Sequence, residues 1–204
     1  MQSSEHLTTG YEFIDNRLGG LPSGAITALV GYPGTGKSQL LWTLATGLSV
    51  PVLYFGSTPA LAPGWHQDRG PQFHLDDLPH DDLGVIVGLI CRARRQLGIR
   101  AVFIDDLQRY VGHRYSSTRS KLRRSFLKLP GALDIALVAS YSITREVCPH
   151  RRARWADLRG TVLEDPDLVL LLHPESAIPP ITTMYAIRQD GHSPIVSEQL
   201  HMRL

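Results

Sequence analysis

The chain is poor in cysteine, with only Cys91 and Cys148, far apart and in no C-x-x-C pair. That spacing excludes a disulfide framework and fits reduced thiols. Zinc-ligand clusters are missing too. There are nine histidines, but His150 beside Cys148 supplies two ligands where a structural zinc takes four. A metal held by protein side chains alone is therefore not expected. No run approaches the roughly 18 uninterrupted apolar residues of a membrane span. The N-terminus also lacks the charged-then-apolar layout of a signal peptide, so a cytoplasmic protein is expected. Repeats and low-complexity segments are absent, and a net charge of +2 is too small to argue for nucleic acid by itself. What is present, 204 residues of which 43% are hydrophobic, can bury a sizeable core and suits one α/β domain. Met1–His6 reads as frayed; the flexible tail is placed at residues 1–8 and the single domain at 9–204.

The densest chemical signal lies early. A short apolar run, Ala25-Ile26-Thr27-Ala28-Leu29-Val30, enters Gly31-Tyr32-Pro33-Gly34-Thr35-Gly36-Lys37-Ser38, and an amphipathic segment follows. Gly31, Gly36 and the Lys37-Ser38 pair match the phosphate-loop pattern G-x-x-x-x-G-K-[ST] in full. Gly34 and Gly36 let backbone N–H groups approach a β-phosphate, and the helix that starts there turns its positive dipole end to the anion. Lys37 supplies charge to the β and γ phosphates, and the Ser38 hydroxyl is the expected Mg²⁺ ligand. The nucleotide-binding stretch thus comprises Gly31, Pro33, Gly34, Thr35, Gly36, Lys37, Ser38 and Gln39.

Periodicity supplies the frame around this loop. Leu40, Leu41, Leu44, Ala45 and Leu48 recur at helical spacing, and Trp42 falls off that face as a partly covered surface residue. Pro51–Phe55 reads as a buried strand, and Ser57–His80, with four prolines, as a loop with at most one short helix. A helix follows, capped by Asp81 or Asp82, with Ile86, Ile90, Ala93 and Leu97 along one side and Gly98 as its stop. Ala101-Val102-Phe103-Ile104 then runs into Asp105-Asp106. An acid ending a buried parallel strand near a phosphate loop is where such folds hold magnesium, and Asp105 is the better placed. In extended backbone Asp106 would point away from it. Leu122, Phe126 and Leu129 mark another helix. Asp134–Ser140 and Asp167–His173 read as further strands, and Thr182–Gln189 with Ile195–Leu204 as an edge hairpin around Asp190-Gly191-His192-Ser193-Pro194. The alternation implies an α/β fold with a mostly parallel sheet and helices on both faces.

Charge is segregated along the chain. Arg109, Arg114, Arg119, Lys121, Arg123 and Arg124 fall between Leu107 and Arg124 with no acid among them, and Arg145, Arg151, Arg152, Arg154 and Arg159 fall between Ser142 and Gly160. Each segment follows the C-terminal end of an expected central strand, where open α/β sheets bind ligands. Tyr110, Tyr115 and Trp155 are interspersed, a combination suited to the backbone phosphates and stacked bases of single-stranded DNA. The alternative is a solvated basic surface.

Together these residues resemble the ATPase domain of the bacterial replicative helicases of the DnaB type, within the RecA-like P-loop ATPases. The lead-in Thr9-Gly10, Asp15, Gly19-Gly20-Leu21 and Gly24 is similar to that family's. So are Phe103-Ile104-Asp105-Asp106-Leu107-Gln108, against an I-D-Y-L-Q type run, and Leu127-Lys128-Leu129 followed by Ile135–Ser140. Asp157-Leu158-Arg159 with Glu164 and Asp167 resembles its D-L-R motif and the acids that follow. The resemblance covers nearly the whole chain from about Thr8. It implies ATP and Mg²⁺ as cofactors, catalytic roles at Lys37 and Asp105, and a magnesium site at Ser38 and Asp105; Asp106, where the family's run has tyrosine, is added as a catalytic candidate whose role is open. It also implies a homo-oligomeric ring, usually a hexamer, with single-stranded DNA gripped by two loops; Arg114, Arg119, Lys121, Arg145, Arg151, Arg152 and Arg154 are the candidate contacts.

Four departures accompany it. Phe55-Gly56-Ser57-Thr58-Pro59 puts Thr58 where the family has its water-activating glutamate, leaving Asp106 or Asp68 as substitutes; loss of a general base is worth roughly a hundredfold or more. Ser140-Tyr141 stands where the family usually has a Ser-Gln pair, so the γ-phosphate sensor that the resemblance implies is absent. Ile187-Arg188-Gln189-Asp190-Gly191 leaves Arg188 as the only nearby inter-subunit finger, one residue out of register. The helical domain that collars the family's rings has no counterpart in these 204 residues. Two readings follow: an ATP-hydrolysing helicase or translocase domain acting on single-stranded DNA in replication or recombination, and a catalytically weak ATP-binding adaptor that assembles with an active helicase or recombinase. A RecA-type recombination mediator is a weaker third.

Overall fold

The computed structural model describes residues 5–56, 73–76, 83–111, 117–143, 154–158, 161, 163, 165–177, 180–188 and 196–201. Its centre is β3 (Ile26–Gly31), buried at every position. A strand covered on both faces reads as a continuous apolar run, and each such side chain withdrawn from water contributes about 1.5–3 kcal/mol before entropy is counted. Before it come β1 (His6–Leu7), α1 (Glu12–Leu18) and β2 (Leu21–Pro22). His6–Leu7 is not frayed: it pairs antiparallel with Leu21–Pro22, and Leu7 is buried.

After β3 come α2 (Lys37–Gly47), β4 (Val52–Phe55), β5 (Phe73–Asp76), α3 (Leu83–Leu97), β6 (Ala101–Ile104), α4 (Gln108–Val111), α5 (Ser117–Leu133) and β7 (Ala136–Ser142). A 3-10 turn (Trp155–Leu158), β8 (Leu168–Ala177), β9 (Pro180–Arg188) and β10 (Val196–His201) complete the order. One eight-stranded sheet runs β10-β9-β8-β3-β7-β6-β4-β5. The pairings from β8 through β3, β7, β6 and β4 to β5 are parallel, while β9 and β10 are antiparallel.

Right-handed crossovers explain the layering. The chain steps from β3 across to β4 and on to the edge strand β5 in one direction, and returns through β6 and β7 in the other. The core around α2 and α1, with Leu40, Leu41, Leu44, Phe13 and Ile14, therefore lies on one face of the sheet. That around α3 and α5, with Ile86, Ile90, Phe126 and Leu129, lies on the opposite face. The chain's direction reverses around β3, which β7 and β8 flank, and that is the switch point at which such sheets bind ligands.

Several local expectations are corrected. Phe73–Asp76, expected as loop, is an edge strand in register with Val52–Phe55; a four-residue segment is too short for periodicity to separate strand from coil. Trp42 is buried, its ring edge-on to Tyr54 at 5.1 Å and 85°. Because α2 touches β3, β7 and β6, its flank as well as its underside meets the sheet. Leu97 is 45% exposed, lying in the last turn of α3 before Gly98 (φ 65°) ends the helix. Asp81 and Asp82, named as caps, lie outside the described residues. β8 runs on to Ala177 and turns almost directly into β9, with a register shift between Pro174 and Ser176. The expected hairpin of β9 and β10 is present, its connecting residues outside the described set.

The lead-in is pinned by one carboxylate. Thr9 N–H, Thr9 Oγ1–H and Gly10 N–H donate to Asp15 at 2.8, 2.9 and 2.8 Å. This brings the Thr9 carbonyl over the C-terminal end of α2, where a Cβ on Gly47 would collide with that oxygen. Two Gly→Ala substitutions should therefore differ in sign. Gly47→Ala forces backbone from backbone and should destabilise by about 1–3 kcal/mol, lowering the melting temperature by roughly 2–4 °C per kcal/mol. Gly88→Ala in α3, where a Cβ meets nothing within 4 Å, should stabilise by about 0.4–1 kcal/mol. Thermal unfolding checks both, and equal responses would contradict the close approach of Thr9 to α2.

Candidate functional site

The loop from Gly31 to Ser38 is built by β3 ending and α2 beginning. Gly31, the last residue of β3, sits against its neighbours: a Cβ there would lie 2.7 Å from Thr35 Oγ1 and 2.9 Å from the Leu172 carbonyl oxygen of β8. Gly36 precedes α2 in the left-handed region at φ 80°, a conformation that only glycine adopts without strain. The Tyr32 carbonyl oxygen organises the turn, accepting from Thr35 N at 3.3 Å, Thr35 Oγ1 at 2.9 Å and Lys37 Nζ at 2.8 Å. Thr35 and Lys37 are buried, Pro33, Gly34 and Ser38 are exposed, and Gln39 is half-buried.

Lys37 is an uncommon buried cation. Burial lowers its pKa from the ordinary 10.5 to about 8, and the charges of Asp105 and Asp106 resist that fall. Those two acids follow β6, which is not the neighbour of β3, since β7 lies between them. The intervening strand supplies the connection. Ser140 Oγ–H donates to Asp105 Oδ1 at 2.7 Å, and Asp106 N–H donates to the same Ser140 oxygen at 2.7 Å. The Ser140 carbonyl accepts Leu107 N at 2.9 Å, and Asp105 N–H donates to the Phe55 carbonyl at 2.8 Å. Gly56 completes the approach from β4: a Cβ would lie 2.8 Å from Asp105 Cβ.

The expectation that Asp106 points away from Asp105 assumed extended backbone. Asp106 instead turns into the left-handed region at φ 54°, which aspartate tolerates better than most residues. Its pKa is raised, first by burial and then by the Asp105 charge, while Arg109 and Lys37 pull it down. One lysine and two carboxylates thus interact across three strands. A strained turn with perturbed ionisations beside a glycine cradle marks a site rather than core packing.

Two residues were missed. Ser140 is a hydroxyl closing the apolar run Ile135–Ala139, a signal readable in the sequence. Gln108 clamps the end of β7 with its amide, donating to the Ser142 carbonyl at 2.6 Å and accepting Ser142 N–H at 3.0 Å. Nothing local pairs residues 34 positions apart.

The other candidates are dispersed. Tyr110 is buried in the core beneath α3 and α5, so it is not available to stack on a base. Arg154 is exposed, and its N–H donates to Asp157 Oδ2 at 2.8 Å, so Asp157 reaches back to the residue that precedes the 3-10 turn. Asp167 accepts Ile26 N–H at 2.7 Å, at the end of β3 opposite the phosphate loop. Arg119 and Lys121 lie in the first turns of α5. Arg188 closes β9 opposite Leu168, the first residue of β8, and so lies at the N-terminal ends of the parallel strands, away from the chain's own phosphate loop at their C-terminal ends. Arg114, Arg145, Arg151, Arg152, Arg159, Glu164, Thr58, Asp68 and Tyr115 lie outside the described residues.

A cradle of glycines, a helix N-terminus and a buried ammonium fit an anionic phosphate chain, and the carboxylates held opposite Lys37 fit a divalent cation bound beside it. No protein-family profile matches the chain. Among curated proteins, DNA repair protein RAD51 homolog 2 of Arabidopsis thaliana is 50% identical over 54 residues, which is 26% of this chain and 15% of that protein. A probable plasmid replicative DNA helicase of Chlamydia psittaci is 29% identical over 113 residues, 52% of this chain and 25% of that protein. The matched stretches thus span a quarter or less of those relatives. Of the solved structures, one described as an ATPase domain has a TM-score of 0.76 at 17% identity, covering 97% of this chain and 88% of its own. A DnaB-like replicative helicase, described with its interactions with primase, also scores 0.76 at 17% identity, covering 100% of this chain and 62% of that one. The chain has the RecA-like fold of DnaB-type helicase ATPase domains.

Proposed function

We propose that this chain is an ATP-hydrolysing, DnaB-like helicase or translocase domain that acts on single-stranded DNA in replication or recombination. The observation that carries the reading is that Lys37, at the start of α2 where the loop ends, is electrostatically coupled to Asp105 and Asp106 after β6, with Asp105 held by Ser140 of β7. In this reading the amides from Gly34 to Ser38 bind the phosphates, and Lys37 meets the β and γ oxygens. Ser38 and Asp105 would hold Mg²⁺, which when bound neutralises charge on the transferring phosphoryl group. Ser140 positions Asp105 by hydrogen bonding. Asp106, with its raised pKa and its place beside Asp105, is the residue on hand to orient or deprotonate water where the β4 exit carries no acid.

The basic segments after β6 and β7, including Arg151, Arg152 and Arg154, are assigned to the DNA backbone, and Gln108 ties the end of β7 to the turn that bears Asp105 and Asp106. Arg188 is assigned in trans to a neighbouring subunit of a ring, and the compartment to the cytoplasm. No helix among the described residues is long and apolar enough to cross a membrane.

Steady-state ATPase with and without single-stranded DNA tests the proposal. The expected result is Mg²⁺-dependent turnover that DNA stimulates, with the stimulation lost and the salt dependence flattened when Arg151, Arg152 and Arg154 are neutralised together. Tight nucleotide binding with no turnover in either condition would reject the motor in favour of the adaptor.

A further inference from the structure

The chain's charges nearly balance, with 21 Lys and Arg against 19 Asp and Glu, yet the sheet face bearing α3 and α5 is one-sided. From Leu83 to Leu133 the only acids are Asp105 and Asp106, both spent in the phosphate site, and neither α3 nor α5 contains an acid. The two helices lie side by side on the same face. They are joined where Arg94 Nε–H donates to the Leu133 carbonyl at 2.9 Å, satisfying a backbone oxygen at the end of α5.

Exposure follows a stripe on each helix. On α3 the exposed positions include Val85, Gly88, Arg92 and Arg95, and on α5 Arg124, Ser125 and Lys128. Arg92 and Lys128 each stand roughly two and a half helical turns, in sequence, before the strand their helix feeds, so they are at similar heights on neighbouring helices. Among the described residues no acid pairs with Arg92, Arg95, Arg124 or Lys128; the ion pairs found there belong to Arg100. Four like charges on adjacent helices repel, and a folded surface without a partner normally intersperses both signs.

We infer that the α3/α5 face is a second binding surface for the sugar-phosphate backbone of nucleic acid, on the flank of the sheet; it takes Arg124 from the end of the basic segment that follows β6 and is otherwise distinct from the segments that follow β6 and β7. Three of the four outward cations are arginines, whose planar fork matches phosphate. The stripe carries no aromatic side chain, so it reads backbone charge and not bases. It lies on the flank of the sheet, whereas the phosphate loop lies at the strands' C-terminal ends. A strand held there is consequently held independently of nucleotide. From the proposed function the inference takes only the class of ligand.

The test uses the full chain without nucleotide and a fluorescently labelled oligothymidylate, with Arg92, Arg95, Arg124 and Lys128 replaced together by glutamine. Binding should weaken at least about tenfold at low salt, and the slope of log affinity against log salt should fall by about 2 to 3, near 0.7 per single-strand phosphate contact. ATP affinity and melting temperature should stay unchanged, since all four side chains are exposed. The corresponding all-lysine variant should restore most of the slope. An unchanged slope in the glutamine variant overturns the inference. So does displacement of the oligonucleotide from wild type by polyglutamate at equal charge concentration, which would identify an acidic protein surface as the partner. If neutralising Arg151, Arg152 and Arg154 removes all DNA binding while the α3/α5 variant keeps its slope, the proposed function stands and this surface does not; the reverse pattern separates them the other way.

Discussion

Lys37→Met is expected to abolish nucleotide binding and at the same time raise the melting temperature of the free protein. The ammonium is buried, and its pKa stands at about 8 in place of 10.5. That difference corresponds to a folding penalty on the order of 3 kcal/mol while the group is charged in both states. The sign follows from the depressed value. The unfolded chain holds the proton more tightly, so the penalty is complete below about pH 8 and is relieved as pH rises from there toward 10.5. Methionine keeps the aliphatic stem and removes the charge, while the Tyr32 carbonyl keeps both donors from Thr35. Asp105 and Asp106 lose a counter-charge, so the net gain is smaller, about 1–2 kcal/mol, or a few degrees for a chain of this size. Nucleotide affinity should fall at least about a hundredfold, since a charge-assisted bond to phosphate is worth roughly 1.5–3 kcal/mol and the loss leaves an anion unpaired. Calorimetric titration and thermal unfolding read the two effects. A variant that both binds ATP normally and melts lower would refute the assignment.

The second large effect is expected at Asp105→Asn. The amide oxygen can still accept from Ser140 Oγ–H, so the 2.7 Å contact and the Asp106 N–H bond to the same hydroxyl survive. Only the negative charge is removed. Turnover should then drop by about two to three orders of magnitude, the range typical for loss of one preorganised electrostatic group. The gain in ATP affinity on adding Mg²⁺ should disappear, while affinity measured in EDTA stays as in wild type. With the Asp105 charge gone, one of the two causes that raise Asp106 also goes. An Asp105→Asn protein whose ATP affinity still responds to Mg²⁺ would exclude Asp105 as the metal ligand.

Much of the fold was legible because its signals are local. The apolar runs at β3, β4, β6 and β8 carry their burial in their own composition, and the helix between Leu83 and Leu97 announced itself by spacing. The misses share one cause. Trp42 faces Tyr54 from another element, Tyr110 sinks into a core assembled by α3 and α5, and Phe73–Asp76 becomes a strand only because β4 offers an edge. None of those partners can be read from a window of neighbouring residues.

The same division holds at the site. The order of residues from Gly31 to Ser38 by itself determined a glycine turn leading into a helix with a cation at its start, the layout proposed here to cradle phosphate, because those are covalent properties of one segment. It also determined an acid at the end of a buried strand. Tertiary structure alone decided that β7 separates the two, that Ser140 holds Asp105 and the Asp106 backbone, that Asp106 leaves the extended region, and that Lys37 is buried deeply enough to shift its ionisation. Burial and electrostatic coupling depend on which segments become neighbours, and that is set by sheet order rather than by any local stretch of chain.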